Sequence, residues 1–133
     1  MNDRDFVVAF EKCAIPNDAF RHADHVRLAW IYLREHRLIE AIARFTTSLQ
    51  RFAAHHGVPG RYHETITWAY LLLIHERMQR DGAPRDWESF RAANGDLFGW
   101  EPSILEGYYA PGTLKSDLAR RIFVLPDAGA SSG

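Results

Sequence analysis

Apolar residues recur at three- to four-residue spacing through most of this chain, and no stretch of useful length alternates as a strand would. Phe6, Val7, Phe10 and Cys13 form the first such stripe, which predicts a helix from about Asp3 to Cys13. Pro16-Asn17-Asp18 then reads as a turn. Val26, Ala29, Trp30 and Leu33 predict a second helix, beginning at Ala23 or Asp24 and reaching His36. Asp24 is the expected N-cap, its carboxylate accepting from the backbone of Val26 or Arg27.

Ile42, Phe45, Leu49 and Phe52 mark a third helix over Leu38–His55, with Gly57 as its stop and Pro59-Gly60 as a loop. The fourth predicted helix, Tyr62 to Arg80, differs in kind. From Ile66 to Ile74 it is apolar nearly all round, the mark of a central, buried helix. Asp81-Gly82-Ala83-Pro84 is expected to end it. Beyond that the elements shorten. Asp86 caps a helix to Ala93, Asn94-Gly95 turns, Pro102 opens a brief helix through Tyr108, and Ser116 or Thr113 caps a last one through Phe123. No internal repeat is present. The fold expected is an all-α, single-domain helical bundle over residues 1–126, four longer helices plus short C-terminal ones. Residues 127–133 are expected to be a disordered tail.

Composition agrees with one folded domain: 133 residues, 47% hydrophobic and 13% aromatic. A net charge of −1 gives no basic footprint for nucleic acid, and the aromatics are not interleaved with a basic stripe. The longest apolar stretch, Trp68 to Ile74, is far too short to span a bilayer, so no membrane partner is expected. One cysteine, Cys13, excludes an internal disulfide framework and suits the cytoplasm. No Gly-x-Ser-x-Gly elbow and no phosphate-cradling glycine loop occurs.

The candidate chemistry gathers at two predicted helix starts, Phe20-Arg21-His22-Ala23-Asp24-His25 and Arg61-Tyr62-His63-Glu64-Thr65-Ile66-Thr67-Trp68. The positive end of the helix dipole favours carboxylate and neutral imidazole there, the forms that ligate metals or act as bases. His22 and His25, three apart, converge if the helix includes both. His63 and Glu64, about 100° apart around a helix, cannot both face one pocket from a regular helix end. Their functions must therefore differ.

Three histidines are a ligand set for one divalent metal, zinc, iron or copper, with His22, His25 and His63 as the candidate ligands. His63 and Glu64 are the candidate catalytic groups, Glu64 as base or as a group orienting a ligand. Arg61, Tyr62, Thr67 and Tyr108 are the candidate substrate contacts. Tyr108-Tyr109-Ala110-Pro111 could lid a cleft. No HExxH and no pair of Glu-x-x-His motifs is present, so neither a zinc-protease helix nor a di-iron carboxylate bundle is indicated.

The functional expectation is a small enzyme acting on a small organic molecule in a His-rich pocket between helices. A non-catalytic small-molecule-binding module and a structural or partner-binding domain, with histidines as buried corner posts, are the alternatives. Trp87, Phe98 and Trp100 are candidates for a homodimer contact or for a cap over the core.

Overall fold

Asn2 opens the first helix, its side chain accepting from the Asp5 backbone at 2.8 Å. The structure, a computed structural model, describes residues 1–82, 86–100 and 102–129. Helix α1 spans Asp3–Glu11, α2 His22–Glu35, α3 Leu38–His55, α4 Glu64–Asp81, α5 Trp87–Ala93 and α6 Asp117–Arg121. Short 3-10 turns at Asn17–Ala19, Pro59–Arg61, Gly95–Phe98, Ile104–Gly107 and Thr113–Lys115 connect or follow them. Among the described residues there is no strand, and the all-α expectation holds. No helix among them is long and apolar enough to cross a membrane.

The three long helices α2, α3 and α4 pack against one another, with α1 across α2 and α3 and α6 against α4. Only His36 and Arg37 separate α2 from α3, a link short enough to make them antiparallel neighbours. Phe10, Phe45, Phe52, Trp30, Leu71 and Ile74 lie in the single core between these helices. Phe10 sits 5.5 Å from Phe52 and 5.9 Å from Phe45, ring centre to ring centre. Polar ties fix α1 in place. The Tyr32 hydroxyl donates to Glu11 at 2.6 Å, and Arg27 reaches both the Met1 carbonyl and the Asp3 carboxylate at 2.9 Å.

Helix ends depart from the sequence reading where side chains reach backwards. Helix α2 starts at His22, because Asp24 accepts from the Arg21 N–H at 2.9 Å instead of from Val26 or Arg27. Asp24 therefore stands inside the first turn and is not the N-cap. Helix α1 stops at Glu11, since Cys13 turns left-handed at φ 56° and the Ala14 N–H bonds back to the Ala9 carbonyl. Gly57 does the same work at the end of α3 with φ 74°, as its sequence position suggests. Helix α4 begins at Glu64, two residues after the expected Tyr62. Its terminator is described as far as Gly82, which is left-handed; Ala83 and Pro84 lie outside the described residues.

Asp86 and Ser116 cap α5 and α6 as expected, accepting from Ser89 and Ala119. The brief helix after Pro102 is a 3-10 turn, and α6 ends at Arg121, not Phe123. The chain beyond α6 runs along α4. Fully buried Thr65 donates its hydroxyl to the Ile122 carbonyl at 2.7 Å and accepts from the Val124 N–H at 3.0 Å. Phe123 stacks on Trp68. Asp127, in the segment expected to be a disordered tail, accepts from the Ala110 N–H at 2.7 Å and the Thr113 hydroxyl at 2.8 Å. Residues 130–133 of that tail lie outside the described residues.

Candidate functional site

Between the N-terminal ends of α2 and α4 and the flank of α3 lies a cleft of about 660 Å³. That volume is in the range of small-molecule sites. Its apolar wall comes from Phe20, Val26, Ala29, Phe45, Leu49, Phe52, Val58 and Ile66. Its polar lining comes from Asn17, His22, His25, Tyr62, His63, Thr67 and Tyr70, with Arg21, Arg61 and Arg120 among the lining residues and Trp100 over His22.

Because α2 begins at His22, that residue and His25 share one helical face, and both line the cleft. The His22 ring bonds the Leu97 carbonyl through Nε2 at 2.9 Å. A carbonyl only accepts, so Nε2 carries the proton. Burial pushes the His22 pKa down against the pull of that carbonyl, which keeps the ring neutral at pH 7 and leaves Nδ1 as a bare acceptor. Trp100 and Tyr70 hold the ring from two sides, at centroid distances of 4.9 and 4.8 Å. His25 packs 4.3 Å from Phe20. Burial, reinforced by the charge His22 would carry, pushes the His25 pKa down to about 4. It too is neutral at pH 7.

His63 lines the same cleft but is occupied differently. It is the N-cap of α4, its Nδ1 accepting from the Ile66 N–H at 3.1 Å. Its Nε2 must then bear the proton, and it donates to the Leu114 carbonyl at 2.7 Å. Burial lowers its pKa, opposed by the Leu114 carbonyl and aided by the nearby Arg120 charge. Both ring nitrogens are committed to holding the chain. A ligating imidazole needs one lone pair directed at the ion. The donor set therefore does not fit a His22, His25 and His63 metal site, and no group of three or more His, Cys, Asp or Glu among the described residues is placed to hold a metal ion.

Glu64, the first residue of α4, is not among the residues lining the cleft. His63 stands outside the helix as its extended N-cap, so the rotation of about 100° expected within one helix does not set their directions. Its carboxylate accepts a hydrogen bond from the Tyr62 hydroxyl. Burial first, and the Glu64 partner second, raise the Tyr62 pKa and keep the phenol protonated. Thr67 lines the cleft, but its hydroxyl donates to the His63 carbonyl at 2.7 Å within the helix. Arg61 lines it too. Tyr108 does not: it is exposed, and its neighbour Tyr109 turns inward to donate to the Val124 carbonyl at 2.8 Å. The two adjacent tyrosines form no lid over the cleft.

Sequence reasoning set Phe20 and Arg21 in a stretch of candidate chemistry without giving them a part in the cleft, and it missed Arg120. Arg120 was legible only as a basic residue in a last helical turn, yet its guanidinium donates to the Gly60 carbonyl at 2.7 Å, sixty residues away in the chain. Trp87 and Phe98, candidates for a dimer contact, pack against the core, Trp87 lying 5.4 Å from Trp30 and 5.7 Å from Phe98. His56, at the end of α3, is half-buried over Phe52 at 4.4 Å. Compared with protein-family models, with curated proteins and with solved structures, the chain shows no match.

Proposed function

We propose that this protein binds a small organic molecule in the cleft between α2, α3 and α4. The observation that carries the reading is the pairing of that volume with an apolar, aromatic wall and two neutral imidazoles on one helical face. Such sites owe most of their affinity to apolar burial and their selectivity to a few oriented polar groups. The His22 ring, held by Leu97, is such a group. Binding without turnover is favoured over catalysis because His63 is engaged at both nitrogens and Glu64 holds Tyr62. The lone cysteine, with no partner in the chain for a disulfide, is compatible with the cytoplasmic setting that belongs to this proposal. A small-molecule partner suits a chain of near-zero net charge better than a nucleic acid does.

A neutral fluorescent probe, N-phenylnaphthylamine, tests this reading. Wild-type protein is expected to enhance its emission with an equimolar end point. An Ile66→Trp variant, which fills the cleft with an indole from a half-buried position, is expected to abolish the enhancement while keeping its unfolding midpoint within a few degrees. Equal enhancement by the two proteins would place the bound probe elsewhere.

A further inference from the structure

Among the described residues the cleft is lined by three arginines and three histidines and by no aspartate or glutamate, in a protein that holds more acidic than basic residues overall, 17 against 16. Of the acidic residues adjacent in sequence to cleft residues, Asp18 is exposed and not among the lining, and Asp24 and Glu64 are turned to other partners. Asp24 accepts from the Arg21 backbone, and Glu64 from the Tyr62 hydroxyl.

Nor do the cleft arginines meet a carboxylate elsewhere among the described residues. Arg27, Arg34, Arg77 and Arg121 are ion-paired, but Arg21, Arg61 and Arg120 have no ion pair among the described residues. Arg120 spends one guanidinium nitrogen on the Gly60 carbonyl, which brings its charge beside the chain that carries Arg61. A guanidinium offers five donors, so most of that fork remains for a ligand.

The imidazoles point to the same chemistry. A cationic ligand would meet three positive charges and, among the described residues, no compensating acid. A neutral ligand would leave the arginine charge unused. An anion meets fixed cations at one side and, at His22 and His25, neutral rings that do not exclude it. The wall opposite is aliphatic and aromatic, from Phe45, Leu49, Phe52 and Val58.

We propose that the ligand is an organic monocarboxylate with an apolar body, its head group held by Arg61 and Arg120 and its body lying against the α3 wall. This rests on the reading of the cleft as a small-molecule site and narrows it to one class of ligand. The carboxylate accepts from guanidinium N–H groups in a charge-assisted geometry, and no covalent step is involved.

Titration calorimetry with two matched sets of probes decides it: octanoate, octanamide and octylamine, and hydrocinnamate with its amide and amine. In each set the carboxylate is expected to bind about tenfold more tightly than the amide and the amine more weakly still, the advantage shrinking at high salt. In an Arg61→Gln, Arg120→Gln double variant, shown folded by circular dichroism, carboxylate and amide affinities are expected to converge. Amide and carboxylate binding equally to wild-type protein would overturn the anion assignment while leaving the cleft as a small-molecule site. If none of the six probes binds at millimolar concentration, and N-phenylnaphthylamine gives no signal either, the cleft reading fails with it.

Discussion

Replacing His63 with alanine is expected to lower the unfolding free energy by about 2–3 kcal/mol. Two losses add. The Nδ1 cap on Ile66 disappears, which costs about 1 kcal/mol at a helix start. The Nε2 bond to Leu114 disappears as well, leaving that carbonyl without its ring partner, for about another 1–2 kcal/mol. His63 is buried, so water replaces neither contact well. His63→Asn separates the two terms, because an asparagine side chain can still cap α4 but cannot reach Leu114, and about half the loss should return. Urea unfolding of the three proteins measures this. A His63→Ala cost below about 0.5 kcal/mol, the scale of ordinary surface substitutions, would contradict the post assignment.

Acidification is expected to remove up to about 3 kcal/mol of stability before any depressed carboxylate titrates. His25 has a folded pKa of about 4 against 6.5 in the unfolded chain. Between those values the unfolded chain takes up a proton that the folded protein refuses, so stability falls as pH falls. The contribution is complete above about pH 6.5, is lost progressively down to about pH 4, and changes no further below. The full value is a ceiling, since cleft water hydrates part of the cation. His22, also lowered by burial, acts in the same direction. Asp96 and Asp127 are held below their ordinary 3.8 by Arg77 and by the Ala110 N–H respectively. Their stabilisation is therefore present above 3.8 and is lost only on further acidification, which leaves the higher window to the histidines. Unfolding free energies from about pH 7 to about pH 4.5 should show this slope in wild-type protein and a shallower one in His25→Gln. A flat profile across that window would overturn the account of His25 as a buried neutral ring.

The parts of the fold that could be read in sequence were those with local causes. The stripes of α3 and α4, the glycine stop at Gly57 and the caps at Asp86 and Ser116 all depend on neighbours within a few residues. Helical rotation was the wrong ground for separating His63 from Glu64: His63 is the extended N-cap outside α4, and its partners are set by the cap and by Leu114. Errors arose where a nearby group chose between two local partners. Asp24 could cap forwards or reach back to Arg21, and the backward bond moved the start of α2 to His22. Tyr108 and Tyr109 were indistinguishable by pattern. The tight turn at Ile104–Gly107 decides which of them goes inward, and it is Tyr109.

The cleft itself could be only half seen. Its histidines stood out because they lie at helix starts, where polar chemistry is expected. Arg120 and Trp100 come from distant segments of ordinary composition, and only packing brings them beside His63 and His22. The engagement of both His63 nitrogens was invisible for the same reason, since the Leu114 carbonyl is a backbone group fifty-one residues away. That bond changes a proposed metal ligand into a structural post.

The direct test is proton–nitrogen correlation spectroscopy of the histidine rings at neutral pH, before and after octanoate is added. His22 and His63 should both show the neutral tautomer protonated at Nε2. Octanoate should shift the His22 and His25 rings while leaving the His63 tautomer unchanged. A His63 ring protonated at Nδ1, or a His63 tautomer that octanoate changes, would contradict the assignment of His63 as a structural corner of the cleft.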